Sequence, residues 1–108
     1  MAKYRVTSLN VSTDKNTYTP YEKVELHIVC TSARMKESAT DFPKDLIWAT
    51  VYKVYSVLTG GQVGYAYVNH TILPTTSIDT ETDDFEMELG PFTAIATHKL
   101  ELRVTAHD

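Results

Sequence analysis

The chain has 108 residues, of which 43% are hydrophobic and 22% are charged, and it carries a net charge of -4. That length fits a single domain, residues 1–108, with one hydrophobic core, and that composition excludes a disordered chain. The acidic balance argues against nucleic acid as a partner, because phosphate binding needs clustered Lys and Arg. No apolar run is long enough for insertion into a membrane.

The first predicted strand changes phase along its length. Tyr4 and Val6 hold one phase of the alternation, whereas Leu9 and Val11 hold the other. A one-residue slip moves the side chains of a strand to its opposite face. The sequence therefore predicts either a bulge near Thr7–Ser8 or a strand that crosses from one sheet to another.

The second predicted strand is regular, with apolar residues at every second position from Val24 to Cys30. This period of two is typical of a half-buried strand. Cys30 lies on the inward phase, so we interpret it as a buried structural thiol. The polar segment from Ser32 to Asp45 is predicted to be a connection, with room for a single helical turn around Arg34 to Ser38.

A long hairpin is predicted in the middle of the chain, with Leu46 to Leu58 as one arm and Gln62 to Leu73 as the other. Gly60-Gly61 is a two-residue turn signal, because both glycines accept positive φ. A turn centred there pairs Val54 with Tyr67. Each arm then has an aliphatic face, which we interpret as core, and a face rich in Tyr, Trp and Thr, which we interpret as outward.

Two further strands follow an acidic connection that is predicted to run from Pro74 to Asp83. Apolar residues alternate with charged or polar ones from Phe85 to Leu89 and again from Leu100 to Ala106. The apolar phases together predict the core, which consists of Val24, Leu26, Ile28, Ala49, Val51, Val68, Phe85, Met87, Leu89, Leu100, Leu102 and Val104.

About six strands spaced by turns, with no long helical stretch, predict an all-β protein, an antiparallel β-sandwich of six to seven strands. The last strand, Lys99 to Ala106, is predicted to leave an open sheet edge. The first strand could pair with that edge within the same chain, which we favour. Alternatively, a strand from another subunit could add to it.

The run from Thr13 to Pro20, followed by Tyr21-Glu22-Lys23-Val24, resembles the opening of macroglobulin-like domains, which begin T-D-K-x-x-Y-x-P-G-[EQ]-x-V. The resemblance implies an immunoglobulin-like or fibronectin-like sandwich in which Tyr18 packs over one end and Pro20 fixes a turn. Tyr21 stands where the family has glycine, so that turn is expected to differ. The resemblance also implies an adhesive, structural or spacer module, since the thioester sequence of the family's reactive members is absent.

The chain carries no recognisable catalytic, cofactor or metal motif. Its histidines are His27, His70, His98 and His107, and none has the spacing or the cysteine partners of a zinc site. The acidic run Asp79-x-Glu81-x-Asp83-Asp84 lacks the glycine and the final glutamate of an EF-hand, so we interpret it as a solvated connection. With no nucleophile elbow, P-loop or dinucleotide fingerprint, no enzyme is expected.

The outward hairpin face is the predicted partner-binding site, because its aromatic patch is larger than a monomer usually exposes. The site consists of Trp48, Tyr52, Val54, Tyr65, Tyr67 and Asn69. The leading hypothesis is a non-enzymatic module that self-associates or joins a larger assembly, such as a virion, a filament or a cell-surface layer. The alternative is a small-ligand or carbohydrate-binding sandwich in which Trp48 and the tyrosines stack on sugar rings. No secretory signal follows Met1, so synthesis in the cytoplasm is expected.

Overall fold

The computed structural model of the protein describes residues 3–19, 21–35, 47–57, 59–71, 78–92 and 99–107. These residues contain the strands β1 (Lys3–Thr13), β2 (Val24–Met35), β3 (Ile47–Ser56), β4 (Gln62–Thr71), β5 (Ile78–Leu89) and β6 (Leu100–His107). Within the same ranges there is no helix, and so none long and apolar enough to span a membrane. The prediction of an all-β chain is confirmed.

The strands form two antiparallel three-stranded sheets, in the orders β1-β2-β5 and β4-β3-β6. The sheets face each other, with β1 opposite β6 and β4 opposite β5, and the apolar core lies between them. β1 pairs with β2, and among the described residues β3 is the strand that pairs with β6. The favoured pairing of the first strand with the last is therefore wrong.

The core between the sheets follows the alternation of β2, β5 and β6. Its buried apolar cluster consists of Val24, Leu26, Ile28, Cys30, Tyr52, Val54, Met87 and Leu89. Half-buried residues that pack against this cluster include Val68, Phe85, Leu100, Leu102 and Val104. The inward phase predicted for these three strands is therefore confirmed.

Two predicted core residues, Ala49 and Val51, are buried on the opposite side of β3. β3 is the middle strand of its sheet, so neighbouring strands flank both residues on this outer face. Val51 pairs with Tyr67 of β4, and the rings of Tyr67 and His107 meet at a centroid distance of 5.9 Å. These small side chains are thus covered by their neighbours in the sheet and not by the opposing sheet.

The phase change in the first strand is a β-bulge. The register of β1 against β2 shifts between Val6 and Ser8, which leaves Thr7 out of the pairing. The Thr7 hydroxyl donates a hydrogen bond to the backbone carbonyl of Thr31 at 3.1 Å. The bulge keeps β1 in one sheet and brings the apolar residues of both its halves to the inner face.

The predicted hairpin forms, but its register differs by three residues from the prediction. Val54 pairs with Gly64 and not with Tyr67, and the register shifts again between Val54 and Tyr55. Of the two turn glycines only Gly60 has a positive φ, 73°. Because the offset is an odd number of residues, it exchanges the faces of one arm relative to the other. The inward face of β3 is therefore the opposite of the predicted one, whereas β4 has the predicted orientation.

Gly64 marks a close approach of β4 to the core. A Cβ on this residue would lie 2.5 Å from Cδ2 of Leu89 and 2.7 Å from Sδ of Met87. Both side chains are buried, so a methyl group requires repacking. We expect Gly64→Ala to lower the free energy of unfolding by about 1–3 kcal/mol in urea denaturation. Gly61→Ala is the control, since its Cβ would meet Thr59 Oγ1 at an ordinary 3.5 Å; equal losses in the two variants would contradict this packing.

Two segments that were predicted as connections belong to strands. β2 continues to Met35 and β5 begins at Ile78, and the two pair over this length. Their inward positions are polar, with Arg34 opposite Asp79. Polar residues on the inward phase reverse the usual pattern, which is why the sequence predicted connections here. Residues 36–38 of the predicted helical turn lie outside the described residues.

The turn that precedes β2 contains a residue in a glycine-like conformation. Tyr21 has a φ of 69°, in the left-handed region that disfavours residues with a Cβ. Its N–H donates a hydrogen bond to the Phe92 carbonyl at 3.0 Å. Tyr18 packs against the core, and its hydroxyl donates to the carboxylate of Asp14. Pro20 lies outside the described residues.

Candidate functional site

The structure divides the predicted partner-binding residues into two groups. The buried group consists of Trp48, Tyr52 and Val54, all of which are 0% exposed. Their assignment to the surface is wrong, because β3 is inverted relative to the predicted faces. Tyr65 and Tyr67 are 53% and 47% exposed, and Asn69 follows them on the outer face of β4. In this fold only the second group can meet a partner, and a sugar ring cannot stack on Trp48.

One half of the interior is polar. The buried polar residues near the end of β2 and the start of β3 are Ser32, Arg34, Thr50, His70, Asp79 and Asp83. A buried polar group is costly unless it is paired. The contacts of these residues therefore decide whether they form a reactive site or a structural core.

Hydrogen bonds join several of these groups across the two sheets. Ser32 Oγ lies 2.7 Å from Thr50 Oγ1, which lies 2.9 Å from Nε2 of His70. The Tyr52 hydroxyl donates to Oδ2 of Asp83 at 2.5 Å, and the same oxygen lies 3.7 Å from His70 Nε2. The contacts of Ser32 and Asp83 cross from one sheet to the other, so this network fixes how the sheets face each other.

A buried ion pair lies beside this network. Arg34 is 2% exposed, its Nη1 lies 3.6 Å from Oδ2 of Asp79, and its Nε donates to the Tyr4 hydroxyl at 3.3 Å. The Trp48 ring lies 6.0 Å from the Tyr4 ring and 4.4 Å from the His70 ring, between centroids. The pairing of Arg34 with Asp79 satisfies the requirement that a buried charge has a partner of opposite sign.

The sequence of contacts Ser-Thr-His-Asp differs from that of an acid–base site. In a catalytic triad the histidine meets the nucleophile with one ring nitrogen and the carboxylate with the other. Here the Thr50 hydroxyl and the Asp83 carboxylate approach the same nitrogen of His70. Burial raises the pKa of the Tyr52 hydroxyl, and the hydrogen bond to Asp83 raises it further. Burial also raises the pKa of the Cys30 thiol. Both groups are therefore held neutral, which suits a structural core.

The residues weighed as metal ligands are spread over the fold. Within the described ranges no group of three or more His, Cys, Asp or Glu side chains could hold a metal ion. The acidic run that resembles a calcium loop lies on β5, where Asp79 and Asp83 point inward. Its interpretation as a solvated connection is therefore wrong for these two residues. His98 lies outside the described residues.

Three tyrosines that are exposed or half-buried lie together on the outer face of the β4-β3-β6 sheet. We call this surface the outer aromatic face and define it as Tyr55, Tyr65, Tyr67, Asn69, Arg103 and His107. The Arg103 guanidinium lies 4.4 Å from the ring centroid of Tyr55. Tyr67 packs edge-on against His107. Tyrosine and arginine are enriched in protein–protein interfaces, and they dominate the energetics of many of them.

The outer face of the other sheet is acidic. Asp84, Glu86 and Glu88 alternate along the outward side of β5, next to Glu25 and His27 of β2. The hydrogen bond and negative charge of Glu86 raise the pKa of the Glu25 carboxyl. His27 partly offsets this repulsion, since its Nε2 lies 2.6 Å from Oδ1 of Asp84.

The His27–Asp84 pair gives a pH-dependent prediction. The hydrogen bond to Asp84 raises the pKa of His27 above its ordinary value of 6.5. The stabilisation from this pair is therefore complete below pH 6.5 and is lost as the pH rises through the raised pKa. NMR titration of the His27 ring should give a lower pKa in Asp84→Asn than in the wild type. Equal pKa values in the two proteins would contradict the pair.

The polar interior was not among the features predicted from the sequence. Its signal was a period of two in which the inward residues are acidic: Asp79, Glu81 and Asp83 alternate with Ile78, Thr80 and Thr82. The β-branched residues at the alternate positions favour a strand. The buried partner of Asp79 is Arg34, which is distant in sequence, so this pairing is visible only in the fold.

Comparison of the chain with models of known protein families, with curated proteins and with solved structures finds no match.

Proposed function

We propose that the protein is a non-enzymatic interaction module with an immunoglobulin-like arrangement of strands. It acts as a subunit or decoration of a larger assembly, such as a virion, a filament or a cell-surface layer. The observation that carries this proposal is the outer aromatic face, where Tyr65 and Tyr67 are about half exposed on one strand. In contrast, the hydroxyl groups of Ser32, Thr50 and Tyr52 in the interior are buried and hydrogen-bonded to neighbouring side chains.

The strand order supports the immunoglobulin-like part of the proposal. In such sandwiches strands A, B and E lie in one sheet, and strands C and F pair in the other. The order β1-β2-β5 agrees with A-B-E, and the pairing of β3 with β6 agrees with that of C and F. β4 then corresponds to strand C′ of variable-type domains. The resemblance of Thr13–Val24 to macroglobulin-like domains favours the same arrangement.

The chemistry of the outer aromatic face favours a protein partner. Tyrosine provides a large apolar ring, few rotatable bonds and a hydroxyl that can bond across an interface. Arg103 and His107 add charged or polar donors beside the rings. We propose a second copy of this chain as the partner, because an assembly built from one kind of subunit needs a contact between its copies.

Sedimentation velocity over a range of protein concentrations tests this proposal. The average mass of the wild type should rise with concentration. The dissociation constant of the double variant Tyr65→Ser, Tyr67→Ser should be higher by about tenfold or more. Tyr21→Ser is the matched control, since Tyr21 is 72% exposed and lies outside the outer aromatic face. Equal association of the double variant and the wild type would contradict the proposal. A wild type that stays monomeric but binds a glycan array through Tyr65 and Tyr67 would favour the carbohydrate-binding alternative.

A further inference from the structure

β6 forms an open edge of its sheet in the described part of the chain. β3 is its strand partner there, so the backbone N–H and C=O groups on the other side of β6 point away from the sheet. The inner side chains from Leu100 to Ala106 are only half-buried, whereas Met87 and Leu89 on the inner face of β5 are buried. The interior is therefore less closed along β6 than along β5.

The strand that faces β6 from the other sheet is open on the same side. Leu9 and Val11 pair with the buried residues Cys30 and Ile28, yet they remain 42% and 44% exposed on the inner face of β1. A strand added beside β6 would extend its sheet toward these two side chains. It would therefore reduce the exposure of apolar surface on both sheets.

The charges of β6 favour one register of an antiparallel pair with β6 of a second copy. Glu101 and Arg103 bind each other on the outer face of the strand, and their side chains are 50% and 59% exposed. In an antiparallel pair centred on Leu102, Glu101 of each copy lies opposite Arg103 of the other. On the inner face, Leu100 of each copy then lies opposite Val104 of the other.

The two adjacent registers that keep the same faces together are repulsive. One of them places Glu101 opposite Glu101, and the other places Arg103 opposite Arg103. Like charges directly opposite each other destabilise a strand pair, whereas opposite charges stabilise it. Charges of one sign on an edge strand would prevent pairing in every register. The alternating signs of β6 instead permit one register and oppose its neighbours.

We propose that β6 pairs with β6 of a second copy, antiparallel and centred on Leu102. The two three-stranded sheets then join into one continuous sheet across a two-fold axis, so that the dimer is closed. This edge contact goes beyond the proposed function, which concerns the outer aromatic face. The two contacts meet at Arg103, which stacks on Tyr55 in the outer aromatic face and lies opposite Glu101 of the second copy in the edge contact. The edge contact is therefore tested in a protein that lacks Tyr65 and Tyr67.

Charge reversal tests the edge contact in the Tyr65→Ser, Tyr67→Ser background, in which the outer aromatic face lacks its two exposed tyrosines. Light scattering after size exclusion should find a dimer in this parent protein. Glu101→Arg alone and Arg103→Glu alone should each weaken the dimer about 100-fold, because each places like charges opposite each other. An equal mixture of the two single variants should form a heterodimer, and the variant with both reversals should dimerise as the parent does.

The outcomes separate the edge contact from its alternatives. If the Tyr65→Ser, Tyr67→Ser parent is monomeric at all concentrations, the edge dimer is wrong. The outer aromatic face is tested separately by the sedimentation experiment. Single variants that dimerise as tightly as the parent would overturn the edge dimer in favour of another edge, such as that of β1. A mixture that stays monomeric would contradict the register. Circular dichroism checks that each variant is folded, which is expected because both positions are exposed.

Discussion

Tyr52→Ser is expected to lower the free energy of unfolding by about 3–5 kcal/mol, whereas Tyr67→Ser should lower it by less than about 1 kcal/mol. Tyr52 is 0% exposed, its ring packs edge-on against Phe85 at 4.9 Å, and its hydroxyl donates to Asp83. The serine variant leaves a cavity and removes a donor from a buried carboxylate. Tyr67 is about half exposed on the other face of the same sheet, so removal of its ring changes the free energy of unfolding little.

Urea denaturation of the two variants measures this difference directly. The substitution is the same in both, so the difference reports burial and not the chemistry of the exchange. A larger loss for Tyr67→Ser than for Tyr52→Ser would contradict the orientation of β3. That result would favour the faces predicted from the sequence, in which Tyr52 points outward.

Arg34→Met is expected to lower the free energy of unfolding by about 3–5 kcal/mol, because it removes one partner of a buried ion pair. The guanidinium is 2% exposed and lies 3.6 Å from the carboxylate of Asp79. Methionine has a similar length but carries no charge, so the Asp79 carboxylate loses its cation in a place that water reaches poorly. The loss is electrostatic and should exceed that of an exposed pair such as Lys23–Glu88.

The double variant Arg34→Met, Asp79→Leu is the matched test of this account. A buried ion pair can often be replaced by apolar residues of similar volume without loss of stability. The double variant should therefore recover most of the stability lost in Arg34→Met, in the same urea measurement. Losses in the two single variants that simply add in the double variant would contradict a direct coupling between these residues.

The inward faces of β2 and β6 were predictable because their apolar residues alternate with charged ones. Glu25, His27, Glu101 and Arg103 cannot be buried without partners, so the phase of each strand has one solution. The bulge at Thr7 was visible for the same reason, since the apolar phase of β1 changes there. In these strands the local pattern and the tertiary packing agree.

The orientation of β3 could not be read from its own residues. Both of its faces are compatible with burial, with Trp48, Tyr52 and Val54 on one side and Ala49 and Val51 on the other. The choice depends on the register of the hairpin, which involves the close approach of Gly64 to the core and the shift near Tyr55. The predicted two-residue turn at Gly60-Gly61 gives a different register. Half of the predicted partner-binding residues are therefore in the core.

The predicted exposure of Tyr65, Tyr67 and Asn69 is confirmed because the predicted phase of β4 is correct. Their role in binding stays a prediction. The polar interior was not predictable from hydrophobicity, since Arg34 and Asp79 lie on inward phases where apolar residues are expected. Each is buried because the other lies opposite to it on the neighbouring strand, 45 positions away in the sequence.

Amide NMR spectra of dilute and concentrated wild-type protein test whether the surfaces of the β4-β3-β6 sheet mediate assembly. Residues whose chemical shifts change with concentration should lie on β6 between Glu101 and Thr105 and on β4 around Tyr65 and Tyr67. The amides of the acidic outer face, formed by β2 and β5, should not move. Spectra that are independent of concentration, or changes confined to the acidic face, would contradict assembly through this sheet.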